Sequence, residues 1–194
     1  MAKIDTRKKL LRAGVDLFYK KGYVDTTIRE IGIKAGVNNS LIYHYFKNKE
    51  EMLFEICRKA VDDLIETLHA VEKDSHDPAE CLRKMLVAQT AIMITKRKKE
   101  SKILFEEHYW IRGEKKKLIS KTQREVYDLY MKKCKELEQK GLLNDIDLTV
   151  LNFSIFGIVF WFFRWYKEGG RLSEAEVAES IWKLVFHGML KANP

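Results

Sequence analysis

Only two of the 194 residues are proline, Pro78 and Pro194, so the chain runs 77 residues before any ring interrupts its backbone hydrogen bonding. Apolar residues recur at three- and four-residue spacing, with no clear run of alternating polar and apolar positions. Both features predict an all-α fold. Gly22, Gly36, Gly113, Gly141 and the Gly169-Gly170 pair, together with residues 74–78, divide it into about nine helices.

In the first helix, expected over about residues 4–21, Leu10, Gly14, Leu17 and Phe18 share one face, widened by Leu11 and Val15. Gly22 suits the left-handed position just past its end. Thr27-Ile28-Arg29-Glu30 has the form of a capping box, in which hydroxyl and carboxylate satisfy each other's backbone amides at a helix start. That helix of about two turns ends at Ala35-Gly36, and Asn38 or Asn39 caps a second short one reaching about Tyr45. Two short helices joined by Ala35-Gly36-Val37 behind a longer amphipathic one make a helix-turn-helix pattern. Ile31 and Val37 fill its core, and the second short helix offers its N-terminal side chains to a DNA groove. A long helix follows from Asn48 to about Val71, with Leu53, Ile56, Ala60, Leu64 and Leu68 on one face. Further helices are expected near residues 78–95, 102–112, 116–140, 147–168 and 174–192, the last opened by a second capping box at Ser173 and Glu176.

The net charge of +8 is concentrated. Residues 1–49 hold 11 Lys/Arg against 4 Asp/Glu, whereas residues 50–194 hold 25 against 24. A basic module facing a polyanion, joined to a charge-balanced body, is the implied organisation, with the boundary placed between residues 1–48 and 49–194. Nucleic acid and anionic membrane both satisfy the charge. The compact helix-turn-helix punctuation favours nucleic acid, because a membrane-surface element would be one long basic amphipathic helix. The charged stretch Met1 to Leu10 has no apolar signal-peptide region, and the longest apolar run, Ile155 to Phe163, is too short to span a bilayer. A cytoplasmic protein is expected, with no membrane partner. Cys57, Cys81 and Cys134 are odd in number and lack C-x-x-C pairing, so they read as reduced core thiols rather than a disulfide framework or zinc site. Neither a Gly-rich phosphate loop, an H-E-x-x-H motif nor a pair of Glu-x-x-His motifs is present, so no enzyme, cofactor or metal is indicated. Glu106, Glu107 and His108 are adjacent and diverge around a helix, as a solvated face does.

From Gly22 through Leu53 the sequence resembles the DNA-binding domain of the TetR family of bacterial repressors. The resemblance rests on Lys21-Gly22-Tyr23, Thr26-Thr27, Ile31, Lys34-Ala35-Gly36-Val37, Leu41-Ile42-Tyr43, Tyr45-Phe46 and Lys47-Asn48-Lys49-Glu50. It implies a recognition helix at about Asn38 to Tyr45. Arg29, Asn38, Asn39, Ser40 and His44 are thereby placed near base edges, and Thr27, Tyr43 and Lys49 at backbone-contact positions. Their chemistry agrees: Asn pairs bidentately with adenine, while a Tyr hydroxyl and a Lys ammonium suit phosphate oxygens. Phe46 is expected in the core. Two departures from the family pattern stand out. Gly32 replaces the usual Ala, loosening its helix by about 1 kcal/mol while allowing closer packing, and Asn39-Ser40 replaces small residues.

The resemblance implies that the body binds a ligand and dimerises. Trp165 through Ser173 looks like the end of the body in several family members, including some that respond to acyl-CoA thioesters. Candidate pocket residues are Met85, Gln89 and Ile92 on the fifth helix and Phe105, Tyr109 and Trp110 on the sixth. Tyr127, Tyr130 and Met131 follow on the seventh, and Asn152, Phe156 and Phe160 on the eighth. Gln89 and Asn152 are the telling members, since a buried amide needs a partner. Lys96–Lys99 and Lys115–Lys117 are candidate CoA-phosphate contacts, though as charge runs they also read as solvated loops. Phe153, Trp161, Trp182, Val185, Phe186 and Met189 exceed what one subunit readily covers, and the family pairs its last two helices across a two-fold axis. The expected protein is a homodimeric transcriptional repressor released from an inverted-repeat double-stranded operator by a small apolar effector, acyl-CoA being one candidate. The competing reading is a non-catalytic helical carrier or adaptor whose basic end binds RNA or membrane.

Overall fold

The computed structural model describes residues 2–167 and 169–189, the side chains at 2–5, 95, 96, 163 and 189 excepted. The described residues form α1 (Ala2–Lys21), α2 (Ile28–Ala35), α3 (Asn39–Tyr45), α4 (Lys49–Lys73), α5 (Pro78–Ala91), α6 (Lys98–Glu107), α7 (Gly113–Gln139), α8 (Leu148–Trp165) and α9 (Glu174–Met189). The all-α expectation holds. None of these helices is long and apolar enough to cross a membrane.

Two boundaries differ from expectation. The fifth helix was expected to run as one α-helix to residue 95; instead α5 stops at Ala91 and Ile92–Lys96 widens into a π-turn, closed by the Arg97 amide donating to the Ile92 carbonyl at 2.8 Å. The sixth helix starts earlier and ends at Glu107, followed by one 3-10 turn, His108–Trp110. Its end is drawn off course by Glu107, whose carboxylate accepts from the Tyr23 amide at 3.1 Å, and by the buried Ile111 in extended backbone.

The chain forms two compact units, Met1–Asp62 with Lys99–Lys121, and Asp63–Lys98 with Thr122–Pro194. In the first, Leu10, Phe18, Ile31, Ile42, Phe46, Met52 and Leu53 make a core that Ile103, Leu104, Ile111 and Ile119 complete. Gly14 lets α1 approach α4 closely: a Cβ there would lie 2.6 Å from Met52 Sδ. In the second, α5 packs against α8 and α9, and the Arg83 guanidinium bridges Glu80 on its own helix and Glu179 on α9. Cys57, Cys81 and Cys134 are all buried. Burial pushes the Cys57 thiol up to about 12 and the Cys134 thiol to about 11, so both stay protonated and unreactive at neutral pH.

Candidate nucleic-acid interface

The geometry of α2 and α3 follows from short-range rules. Thr27, in extended backbone, accepts from the Glu30 amide at 3.2 Å while its own amide donates to the Glu30 carboxylate at 2.8 Å, closing the expected capping box. Lys21 adds an ion pair to the same carboxylate, and these contacts hold Glu30 at about 2, well below the ordinary 4.5. Gly36 ends α2 in the left-handed conformation (φ 66°, ψ 35°) that an L side chain would strain. Asn38 then caps α3, its side-chain oxygen accepting from the Leu41 amide at 2.9 Å.

Gly32 explains how α3 is seated. A Cβ on Gly32 would lie 2.5 Å from Ile42 Cδ1 and 2.9 Å from the Val37 carbonyl oxygen. The helix propensity forgone by glycine therefore brings α2 and α3 into direct contact, and Ile42 is fully buried as a result. Phe46 is likewise buried, and Ile31 with it.

The packing turns the polar residues of the motif outward. Thr27, Arg29, Asn38, Asn39, Ser40, Tyr43 and His44 are all exposed, whereas Lys49 is half-buried. The Lys49 ammonium donates to the carbonyls of Tyr23, Val24 and Thr26 at 2.6, 3.2 and 2.7 Å and lies 4.2 Å from the Tyr23 ring centroid. Partial desolvation lowers its pKa. Lys49 thus clamps the turn between α1 and α2 to the start of α4, a role not legible in the sequence. Tyr23 is held further by stacking on Trp110, with centroids 6.0 Å apart.

That stacking places the expected pocket residues differently from the sequence reading. Phe105, Tyr109 and Trp110 belong to the first unit; Tyr109 is exposed there and Trp110 is engaged by Tyr23. The remaining nine lie in the second unit, where Met85, Gln89, Ile92, Tyr130 and Asn152 are buried, Tyr127, Met131 and Phe156 half-buried, and Phe160 at its surface. Tyr130 and Phe156 meet with centroids 5.1 Å apart, and Asn152 Nδ2 donates to the Tyr127 carbonyl at 3.2 Å, so α7 and α8 bring these four together. The basic runs are largely engaged by their own chain: Lys99 pairs with Asp16, Lys117 with Glu114, and Lys115 lies over the Phe54 ring, while the Lys96 side chain lies outside the described residues. Among the described residues no His, Cys, Asp and Glu side chains group as a metal site would require.

The surface expected to dimerise divides in the same way. Phe153 and Trp161 are 61% and 62% exposed, and Phe186 is half-buried. Trp182 and Val185, at 8% each, are instead core residues, because α9 turns them inward with Val177, Ala178 and Ile181. The Met189 side chain lies outside the described residues. Residues not singled out beforehand take the vacated place: Val150 and Trp165 extend the exposed face of α8, and Leu184 on α9 is 68% exposed. Val150, Phe153, Gly157, Trp161 and Trp165 recur at three- and four-residue steps, a spacing that could have flagged the α8 face.

Two family descriptions match the chain: "Bacterial regulatory proteins, tetR family" over residues 10–56, and "Tetracyclin repressor-like, C-terminal domain" over residues 75–189. The HTH-type transcriptional repressor KstR2 of Mycolicibacterium smegmatis is 24% identical over 195 residues, covering 96% of this chain and 91% of that protein. The structure of the ketosteroid transcriptional regulator KstR2 of Mycobacterium tuberculosis matches with a TM-score of 0.87 at 22% identity, over 96% of this chain and 95% of that one. AibR, crystallised in complex with isovaleryl coenzyme A and operator DNA, matches with a TM-score of 0.86 at 27% identity, over 93% of this chain and 98% of that one.

Proposed function

The chain belongs to the tetR family of bacterial regulatory proteins, a family of DNA-binding transcriptional regulators and not of enzymes, and on that premise we propose that it is a homodimeric repressor that a small, largely apolar molecule releases from its operator. The observation that carries the reading is the outward polar face of a rigidly seated α3. Asn38, Asn39, Ser40 and His44, with Arg29 from α2, address base edges and Tyr43 the DNA backbone. Thr27 and Lys49, whose protons are donated to Glu30 and to the Tyr23, Val24 and Thr26 carbonyls, position the turn and the start of α2 instead of contacting phosphate as the resemblance implied.

Dimerisation is supported by the exposed face of α8, where Phe153 and Trp161 flank Gly157, whose Cβ position opens onto free space. A second copy of α8 could approach closely there, and Leu184 of α9 continues the apolar surface. A two-fold dimer carries two copies of α3, which reads an inverted repeat with half-sites about one helical turn, roughly 34–36 Å, apart. An effector in the second unit is supported by the buried Gln89 and Asn152 and by the isovaleryl coenzyme A bound in AibR. The test is a titration of the full-length protein against palindromic and scrambled duplexes. Preference for the palindrome as a dimer is expected; equal binding to both, or preference for RNA or vesicles, would remove the repressor reading in favour of a carrier or adaptor.

A further inference from the structure

Besides Ser75 Oγ in the loop before α5, three polar atoms inside the second unit have no hydrogen-bond partner among the described residues: Gln89 Oε1, the Tyr130 hydroxyl and Asn152 Oδ1. All three side chains are buried, Tyr130 and Asn152 completely. Buried polar atoms are ordinarily satisfied, so a group of orphans in one unit needs an explanation.

The surroundings fix what each atom can do. Asn152 Nδ2 donates to the Tyr127 carbonyl oxygen at 3.2 Å; that oxygen only accepts, so the amide cannot be turned round and Oδ1 remains an acceptor awaiting a donor. Gln89 Nε2 meets Met93 Sδ at 3.8 Å, which leaves Oε1 in the same position. Burial raises the Tyr130 phenol well above its ordinary range, so its hydroxyl keeps its proton and is available as a donor. Tyr130 and Asn152 belong to one patch. The Tyr130 ring packs on Phe156 at 5.1 Å, and Phe156 follows Asn152 by one turn of α8.

Charge narrows the ligand further. Lys133 is the one buried cation among the described residues. Its ammonium donates to both Glu136 carboxylate oxygens at 2.9 and 3.0 Å and lies 3.6 Å from Glu72. An anionic group brought into this interior would meet no unmatched buried cation among the described residues and would lose its hydration.

We propose, building on the effector reading above, that the effector's inner end is uncharged and carries a hydrogen-bond donor for Asn152 Oδ1 and an acceptor for the Tyr130 hydroxyl, with Gln89 Oε1 open to a second donor. A carboxylate or phosphate does not occupy this position. An amide, a hydroxy-ketone or a comparable neutral head on an apolar body has the required chemistry.

Three probes with one ten-carbon acyl body separate the possibilities: decanamide offers donor and acceptor, methyl decanoate an acceptor alone, and decanoate an anion. Each is titrated calorimetrically into the full-length dimer. Decanamide is expected to bind about tenfold tighter than the ester, and decanoate weakest of all. Tyr130→Phe should weaken decanamide and the ester about tenfold while leaving the ligand-free melting temperature unchanged or raised, because no internal bond is lost. Asn152→Leu should abolish the advantage of the amide over the ester. Tightest binding by decanoate, or no binding by any probe, overturns the proposal. So does a Tyr130→Phe variant with a lowered ligand-free melting temperature and unaltered probe binding, which would make the hydroxyl a structural group bonded to internal water. Operator affinity without probe, measured on the same samples, tests the regulator reading separately: specific binding there leaves that reading standing when the proposal falls.

Discussion

In the first unit a Cβ on the helical Gly32 would lie 2.5 Å from Ile42 Cδ1, whereas in the second unit a Cβ on the helical Gly157 would meet nothing within 4 Å. Glycine in a helix costs about 1 kcal/mol relative to alanine, so each position calls for a compensating contact. Gly32 finds it within its own chain, where α2 and α3 touch. Gly157 does not, and its neighbours along the face, Phe153 and Trp161, are among the large apolar side chains that their own chain leaves uncovered. In the first unit the close contact of α2 and α3 turns the polar residues of α3 outward, beside exposed apolar residues such as Ile33 and Leu118. In the second unit the exposed Val150, Phe153, Trp161 and Trp165 line one face of α8, and Gln89, Tyr130 and Asn152 carry polar atoms without partners in its interior. On the proposed reading, the polar face of α3 suits a polyanion, the apolar row on α8 a second copy, and the buried amides a small molecule.

The strongest way to break this comparison is to charge the uncovered face. Phe153→Glu with Trp161→Glu should leave helicity intact, since both residues are exposed, yet separate the dimer. Loss of the second recognition helix removes an effective-concentration advantage on the order of 10²–10⁴ in operator affinity. Sedimentation and operator titration on the same variant check it; a monomer that binds the operator as tightly as wild type would show that the face has another use. A smaller effect is expected on the polar side. Asn39→Ala should relax preference at one base position by about 1–3 kcal/mol without altering the fold, as read by competition among single-base operator variants.

The glycine pair gives a sharper and still smaller contrast. Gly32→Ala places a methyl against the Val37 carbonyl, backbone that cannot move cheaply, so overpacking should outweigh the gain in helix propensity and destabilise the protein by about 1–2 kcal/mol. Gly157→Ala should raise monomer stability by up to about 1 kcal/mol while loosening the dimer. Thermal melts at dimer-dissociating concentration read the opposite signs.

What was legible in the sequence follows the same division. Thr27, Glu30, Gly36 and Asn38 lie within a dozen residues, and each obeys a rule that refers to its neighbours in the chain, so the capping box, the turn and the exposed face of α3 can be read directly. The Lys49 clamp could not, because its target is a set of carbonyls 23 to 26 residues away that no residue type announces. In the body, periodicity identifies apolar faces of α8 and α9 but not what covers them. Trp182 and Val185 turned out to be covered by their own chain, and Leu184 was left outside, because tertiary packing decides that choice.

The smallest effect concerns the two capping boxes, one in each unit. Glu30 at the start of α2 and Glu176 at the start of α9 both accept from the backbone amide and hydroxyl of a cap residue, and both have lowered pKa values. They differ in the ion pair: Lys21 is the largest cause of the Glu30 shift to about 2, whereas the Ser173 backbone amide leads for Glu176. A carboxylate whose folded pKa lies below its unfolded value stabilises the fold fully above the unfolded value and loses that contribution as pH falls. For Glu30 the loss therefore runs from about 4.5 down to about 2. Lys21→Met should move the Glu30 midpoint upward toward 4.5 and leave Glu176 where it is. Carboxyl carbon chemical shifts followed through an acid titration measure both sites in one sample. A Glu30 midpoint unmoved by Lys21→Met would assign the shift to the Thr27 amide and hydroxyl alone, and the two boxes would then be equivalent devices in the two units.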